Sequence, residues 1–267
     1  MRFFFHIGFN GFRYRGWQRQ SNVGSVQEVI EETLGVILKE PISIMGCGRT
    51  DAQVHASQFF FHMDAKDKWD YDLMFRLNKQ LPGDISIFEI LRVDDNQHAR
   101  FDATQRRYDY FIHTYKDPFL NSISTLYMEP TLNLDKMKQA VALLTQYNDY
   151  RAFCKTPDLH RHTICKVTSA LLFADKNVDR LRFQISADRF LGRMVRFIVA
   201  KLLLIGQNKL SLEEFESYFI TRETPKIFEP AFPQGLFLSK VTYPFLEVPV
   251  RTTYTAIGHP EDEWIEI

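Results

Sequence analysis

Residues 42–63 read ISIMGCGRTDAQVHASQFFFHM. Residues 42–46 suit a short strand, and 57–63, with Phe59, Phe60 and Phe61 in a row, suit a buried one. Between them a polar loop carries Gly46, Gly48, Arg49, Thr50, Asp51 and His55. Glycine lets a backbone turn tightly and approach a ligand closely, and binding and catalytic residues gather on loops held between rigid strands. Arg49, two residues before Asp51, could steady a phosphate or the carboxylate. The plainer alternative is a polar turn closed by an Asx-type hydrogen bond.

Outward from this stretch the pattern changes often. Residues 2–9 alternate and predict a strand; 10–24 have no period and predict a loop. Ser25-Val26-Gln27-Glu28 is a capping box. Behind it Val26, Val29, Ile30, Leu34, Ile37 and Leu38 form the stripe of a helix that Pro41 ends. Downstream, the spacing predicts a helix over 69–80, strands over 85–93 and 106–115, and a helix over 134–146. Strands over 164–173 and 180–187 follow, then a helix over 189–205, a second capping box at Ser211, and a strand over 235–243. The acidic tail, Glu261-Asp262-Glu263 and Glu266, reads as solvated. Strands and helices mix without the strict alternation of a parallel sheet. The expected class is α+β with mainly antiparallel sheet, in two similar lobes over 1–105 and 106–267.

The chain has 267 residues, enough for one large or two small domains. Its 33 Lys and Arg balance 33 Asp and Glu, which excludes a uniformly basic binder but not a local basic patch. No run approaches the roughly 20 apolar residues of a membrane span, and the N-terminus lacks the marks of a signal peptide. Cys47, Cys154 and Cys165 show no Cys-x-x-Cys spacing and read as thiols of a reducing cytoplasm.

Three further clusters carry charge. His98-Ala-Arg100-Phe101-Asp102-Ala-Thr-Gln-Arg106-Arg107-Tyr108-Asp109-Tyr110 interleaves arginines with aromatics. That suits RNA, since Arg grips phosphates and aromatics stack on unpaired bases. On a strand Arg106, Tyr108 and Tyr110 share one face; an ordinary amphipathic strand is the alternative. Arg189, Arg193 and Arg196 fall at i, i+4 and i+7 of the expected helix and predict one stripe, solvated or facing an anion. Arg13, Tyr14, Arg15, Trp17 and Arg19 make another cationic and aromatic patch. Dinucleotide, Walker and Gly-x-Ser-x-Gly motifs are absent. His160-x-His162 lacks a further ligand at diagnostic spacing and reads as surface, so no metal or cofactor is expected. Nothing singles out the second carboxylate of a glycosidase.

Gly48-Arg49-Thr50-Asp51-Ala52 with Val54-His55-Ala56 resembles the catalytic motif of the tRNA pseudouridine synthase A family, Gly-Arg-Thr-Asp-Ala-Gly-Val-His-Ala. The likeness continues in Tyr14-Arg15-Gly16-Trp17-Gln18-Arg19-Gln20, in Ser25-Val26-Gln27 and in Leu81-Pro82-Gly83-Asp84-Ile85. It continues in His98-Ala-Arg-Phe101 with Arg106-Arg107-Tyr108-x-Tyr110, in Phe190-Leu191 with Met194-Val195-Arg196, and in Gly235-Leu236-Phe237-Leu238. The blocks stand in the family's order. Gln53 departs from it, standing where the motif has Gly. If that Gly takes a positive φ, Gln53 must bear the strain or shift the loop.

The resemblance implies the α+β pseudouridine synthase fold, two similar lobes with a cleft between them. It implies a cytoplasmic homodimer that isomerises uridine to pseudouridine in the anticodon arm of tRNA (family positions 38–40), without cofactor or metal. Asp51 would be the essential carboxylate, Tyr108 would stack on the target base and assist as acid or base, and Arg196 would hold Asp51 ionised. Arg49 would hold the flipped-out nucleotide and Leu236 would pack under the base. Arg107 would contact a phosphate, and His55 would belong to the substrate-binding set. Alternatives are the same chemistry on another RNA or tRNA position, suggested by Gln53, and a tRNA binder without catalysis.

Overall fold

Ser25 begins the first helix as its sequence demands, its Oγ accepting from the Glu28 N–H at 3.3 Å. Ser211 does the same for Glu214 at 3.1 Å. The computed structural model describes all residues except 67, 129–130, 226–228 and 252–263; the acidic residues 261–263 therefore lie outside the described residues. In chain order the elements are β1 (Arg2–Phe9), α1 (Val26–Leu38), β2 (Met45–Gly46), β3 (His55–Asp64), α2 (Leu73–Gln80), β4 (Ile85–Val93) and β5 (Gln105–His113). There follow β6 (Thr125–Leu126), α3 (Leu134–Leu143), β7 (Val167–Ala174), β8 (Arg180–Ala187), α4 (Met194–Gly206), α5 (Leu212–Thr221), β9 (Leu236–Thr242) and β10 (Ile265–Glu266). The class is α+β, and the strand pairs are mostly antiparallel, as expected.

Boundaries moved where local chemistry outweighed periodicity. The helix expected from 69 starts at Leu73, because Asp72 accepts from the Phe75 N–H and caps it there. The helix expected over 189–205 starts only at Met194. Gly192 and Arg193 form a turn, with Arg193 at φ 63° and the Met194 N–H on the Leu191 carbonyl. The predicted stripe of three arginines on one helix is thus corrected: Arg189 and Arg193 precede α4, and only Arg196 is helical.

The chain divides into two compact units. The first is Met1–Thr104 with the described part of Phe237–Thr253; the second is Gln105–Leu236 with the described end of Tyr254–Ile267. In the first, β1 lies between β3 and β4, antiparallel to both. β2 adds at Met45↔His62, and β9 runs parallel to β3 at His55↔Phe237. One face of β1 and β3 presents Phe3, Phe5, Ile7, Phe59, Phe61 and Met63 to the core. The other face is covered by the segment after β9: Tyr243 and Phe245 stand edge-on to Phe4, and Gln58 donates to the Val248 carbonyl. Both faces are therefore buried.

In the second unit β8 lies between β5 and β7, antiparallel to both; β10 extends β7 and β6 runs parallel to β5. Ile112, Leu172, Leu181, Phe183 and Ile185 form a buried apolar face. α3 packs on α4 so closely that a Cβ on Gly206 would come within 2.7 Å of the Met137 sulfur.

Candidate active site

The loop between β2 and β3 is held by the loop after β1. The Trp17 N–H donates to the Thr50 carbonyl at 3.3 Å, and the Gln53 N–H to the Tyr14 carbonyl at 3.0 Å. Gly16 has φ +96°, and a Cβ there would lie 2.4 Å from the Thr50 oxygen. Beneath the loop the Trp17 ring is buried against Phe59 at 4.1 Å. The clamp leaves Thr50 buried, Asp51 half-exposed and Arg49 exposed.

Asp51 to Val54 is a turn, closed by the Val54 N–H on the Asp51 carbonyl at 3.2 Å. Gln53 occupies it with φ 64°. The left-handed conformation is the one glycine adopts at no steric cost, so Gln53 bears the strain and the turn keeps a shape that glycine would give it. His55 faces inward: it is 1% exposed, its Nδ1 accepts from the Gly11 N–H at 3.0 Å, and its ring stacks on Phe237 at 4.4 Å. It braces the loop.

The patch read at Arg13–Arg19 is corrected. Tyr14 and Trp17 are buried, because the strands below offer aromatic partners. Arg13 and the Tyr14 hydroxyl both donate to Asp84, and burial with that hydrogen bond pushes the hydroxyl's pKa up. Arg19 faces Glu28, Glu31 and Glu32 at 3.6, 3.2 and 3.8 Å.

In the second unit, β5 sends alternate side chains to opposite faces. Tyr108 stands edge-on to Phe190 at 4.9 Å. Tyr110 is fully buried on the same face; its hydroxyl donates to the Phe232 carbonyl at 2.7 Å. Arg107 projects to the other face, its Nε 3.9 Å from an oxygen of Asp109. Arg107 and Tyr108 are thus not brought together.

Arg196, on α4, is 9% exposed. Its Nε donates to the Ala231 carbonyl at 2.7 Å, and the Ala231 N–H returns a bond to the Arg196 carbonyl at 3.0 Å. Gly235 packs against β5 and β6 with no room for a Cβ, which would lie 2.6 Å from the Phe111 carbonyl. Residues 231–235 are therefore fixed to Arg196 and Tyr110, and Leu236, buried at the start of β9, is fixed with them. Asp51, Arg49 and His55 belong to the first unit; Tyr108, Arg107, Arg196 and Leu236 belong to the second.

Asp109 was not foreseen. Its carboxylate is fully buried and takes the Arg182 Nε at 2.7 Å and the Gln184 amide at 2.9 Å. The signal lay in the β5–β8 register, where Asp109 faces Gln184. His162 stands 3.2 Å from Arg189, and among the described residues no three His, Cys, Asp or Glu side chains gather as a metal site. Among the described residues no helix is long and apolar enough to cross a membrane.

A family model described as tRNA pseudouridine synthase matches residues 140–244. A protein of Porphyromonas gingivalis named tRNA pseudouridine synthase A is 37% identical over 246 residues, spanning 91% of this chain and 97% of its own length. One of the same name from Parabacteroides distasonis is 38% identical over 254 residues, covering 94% and 99% of the two chains. Another from Idiomarina loihiensis is 34% identical over 246 residues, covering 91% and 94%. Similarity at this level over nine-tenths of the chain makes it a member of the tRNA pseudouridine synthase A family.

Proposed function

We propose that this chain isomerises uridine to pseudouridine in the anticodon arm of tRNA. The observation that carries the reading is the Asp51 turn, half-exposed on a backbone clamped by Tyr14 and Trp17 in a chain of this family. The bond from uracil N1 to the ribose C1′ breaks, the base rotates, and C5 bonds to C1′. The proton leaves C5 and one is gained at N1, so atoms and charge balance without oxidant, reductant or water.

Each residue has a part in that sequence. Extruding a base costs a few kcal/mol, and stacking on an aromatic such as Tyr108 returns roughly 1–3 kcal/mol. Asp51 supplies the carboxylate that handles the sugar or the base during the exchange. Arg196, fixed through its Nε, is the cation assigned to that carboxylate. Arg49 holds the nucleotide's phosphate, Leu236 packs under the base, Arg107 meets the RNA backbone, and His55 acts through the loop it braces. The active species in this reading is a homodimer in the cytoplasm.

The test incubates unmodified tRNA with the wild-type protein and with Asp51→Ala, then maps pseudouridine by carbodiimide labelling and primer extension. The expected result is new signals in the anticodon arm, lost in the variant while tRNA binding survives. Signals confined to other positions would overturn the target, and none at all from the wild type would overturn the activity.

A further inference from the structure

We propose that Phe101 is a stacking platform for an unpaired base of the RNA substrate; the inference rests on the function proposed above. The ring is 75% exposed, yet it sits on a rigid turn. The His98 N–H donates to the Asp102 carboxylate at 2.7 Å, and the Asp102 N–H returns to the His98 carbonyl at 3.1 Å. The Arg100 N–H donates to the His98 Nδ1 at 3.0 Å. The unit's body holds the turn from three sides. The Ala99 N–H donates to the His62 Nδ1 at 3.1 Å, the Tyr243 hydroxyl donates to the Ala99 carbonyl, and Arg2 donates to the Gln97 carbonyl at 2.7 Å.

The rings form a column. Phe4 lies 5.9 Å from His62, His62 meets His98 edge-on at 4.7 Å, and His98 lies 4.2 Å beneath Phe101 at a tilt of 32°. Burial lowers the pKa of both histidines, and Arg2 adds to it, so the column is uncharged near neutral pH. Phe101 caps this column toward solvent. A ring already ordered by folding loses little freedom on binding, and any base offers it a π-face. The Arg100 guanidinium lies 5.8 Å from the ring centroid, where it suits the phosphate of a nucleotide stacked there. A single aromatic beside a cation matches a nucleotide better than it matches an apolar protein surface.

The experiment uses the full chain and an unmodified tRNA transcript. Phe101→Leu keeps an apolar side chain but removes the ring, and Phe101→Trp keeps a ring that reports stacking. Phe101→Leu should weaken tRNA binding by roughly 5- to 100-fold, raise KM accordingly and leave kcat and Tm near wild type. Phe101→Trp should bind like wild type, and tRNA should quench its emission beyond the change seen in the wild type. Phe101→Leu binding within twofold of wild type, or no added quench in Phe101→Trp, would overturn the platform while leaving the proposed function intact. A change of oligomeric state in Phe101→Leu would overturn it too, by assigning the ring to a contact between copies. A wild type that neither binds nor modifies tRNA would remove the functional reading itself, and the platform with it.

Discussion

Gln53 and Tyr14 are joined by a backbone hydrogen bond of 3.0 Å, so the turn bearing Asp51 is fixed by a loop distant in sequence. Gly16 makes that junction possible. Gly16→Ala would force a Cβ to within 2.4 Å of the Thr50 oxygen and impose a side chain at φ +96°. Strain of this kind costs about 1–3 kcal/mol, and a displacement near 1 Å at a reacting group costs roughly 100-fold in rate. The expected outcome is a lowered Tm and kcat/KM down at least about tenfold. Full activity in Gly16→Ala would show that the junction does not set Asp51.

Gln53 gives the complementary case. At φ 64° a non-glycine residue pays a steric cost that glycine avoids, although glycine gives back part of the gain through a freer unfolded chain. Gln53→Gly should therefore leave stability within about 1 kcal/mol of wild type, with kcat/KM within about twofold. Gln53→Val puts a β-branched residue where it is a true outlier and should lower both. Thermal melts with pseudouridine assays on the two variants decide it. A large loss of rate in Gln53→Gly would give the side chain a role that backbone shape does not explain.

What was legible in the sequence follows from how local each feature is. The caps at Ser25 and Ser211 depend on residues three positions away, and both helices begin where their sequences indicate. The strand at 85–93 keeps its limits for a similar reason, set off by the preceding Leu-Pro-Gly-Asp turn. The start of α4 was obscured because Leu191 fits the helical period even though Gly192 and Arg193 turn the chain. Tyr14 and Trp17 looked like surface because only Phe59, Gly46 and Asp84, brought in by the fold, reveal that they are interior. Asp109 acquires its meaning from Arg182 and Gln184, more than seventy residues away along the chain.

Asp109 should behave as a keystone of the second unit. Its carboxylate is fully buried, and Arg182, which it binds, also lies over the rings of Phe111 and Phe173. Asp109→Ala removes the carboxylate that Arg182 binds at 2.7 Å and Arg107 faces at 3.9 Å. Breaking a buried pair from one side costs about 3–5 kcal/mol, a fall in Tm of roughly 10 °C in a chain of this size. The double variant Asp109→Leu with Arg182→Met removes the carboxylate and its nearer guanidinium and should recover part of the loss, since an apolar pair of similar volume often does as well, while Arg107 still loses its 3.9 Å partner. Equal melting of Asp109→Ala and wild type would mean that the pair contributes nothing net.

Acid should destabilise the first unit through His62. Burial, with Arg2 and His98 nearby, lowers its pKa from the usual 6.5 to about 4. Between those values the unfolded chain binds a proton on this ring that the folded chain does not. Stability is therefore full above pH 6.5 and falls as pH drops toward 4, by up to about 1.4 kcal/mol per pH unit for one proton. His6 and His98, in the same unit, are shifted in the same direction, chiefly by burial, and add to the slope. His62→Asn retains an acceptor for the Ala99 N–H, which the His62 Nδ1 now takes at 3.1 Å, but cannot titrate. Urea unfolding from pH 7.5 down to 4.5 should show a shallower decline in His62→Asn than in wild type, even if the variant begins less stable. Parallel declines would show that the proton is taken up elsewhere.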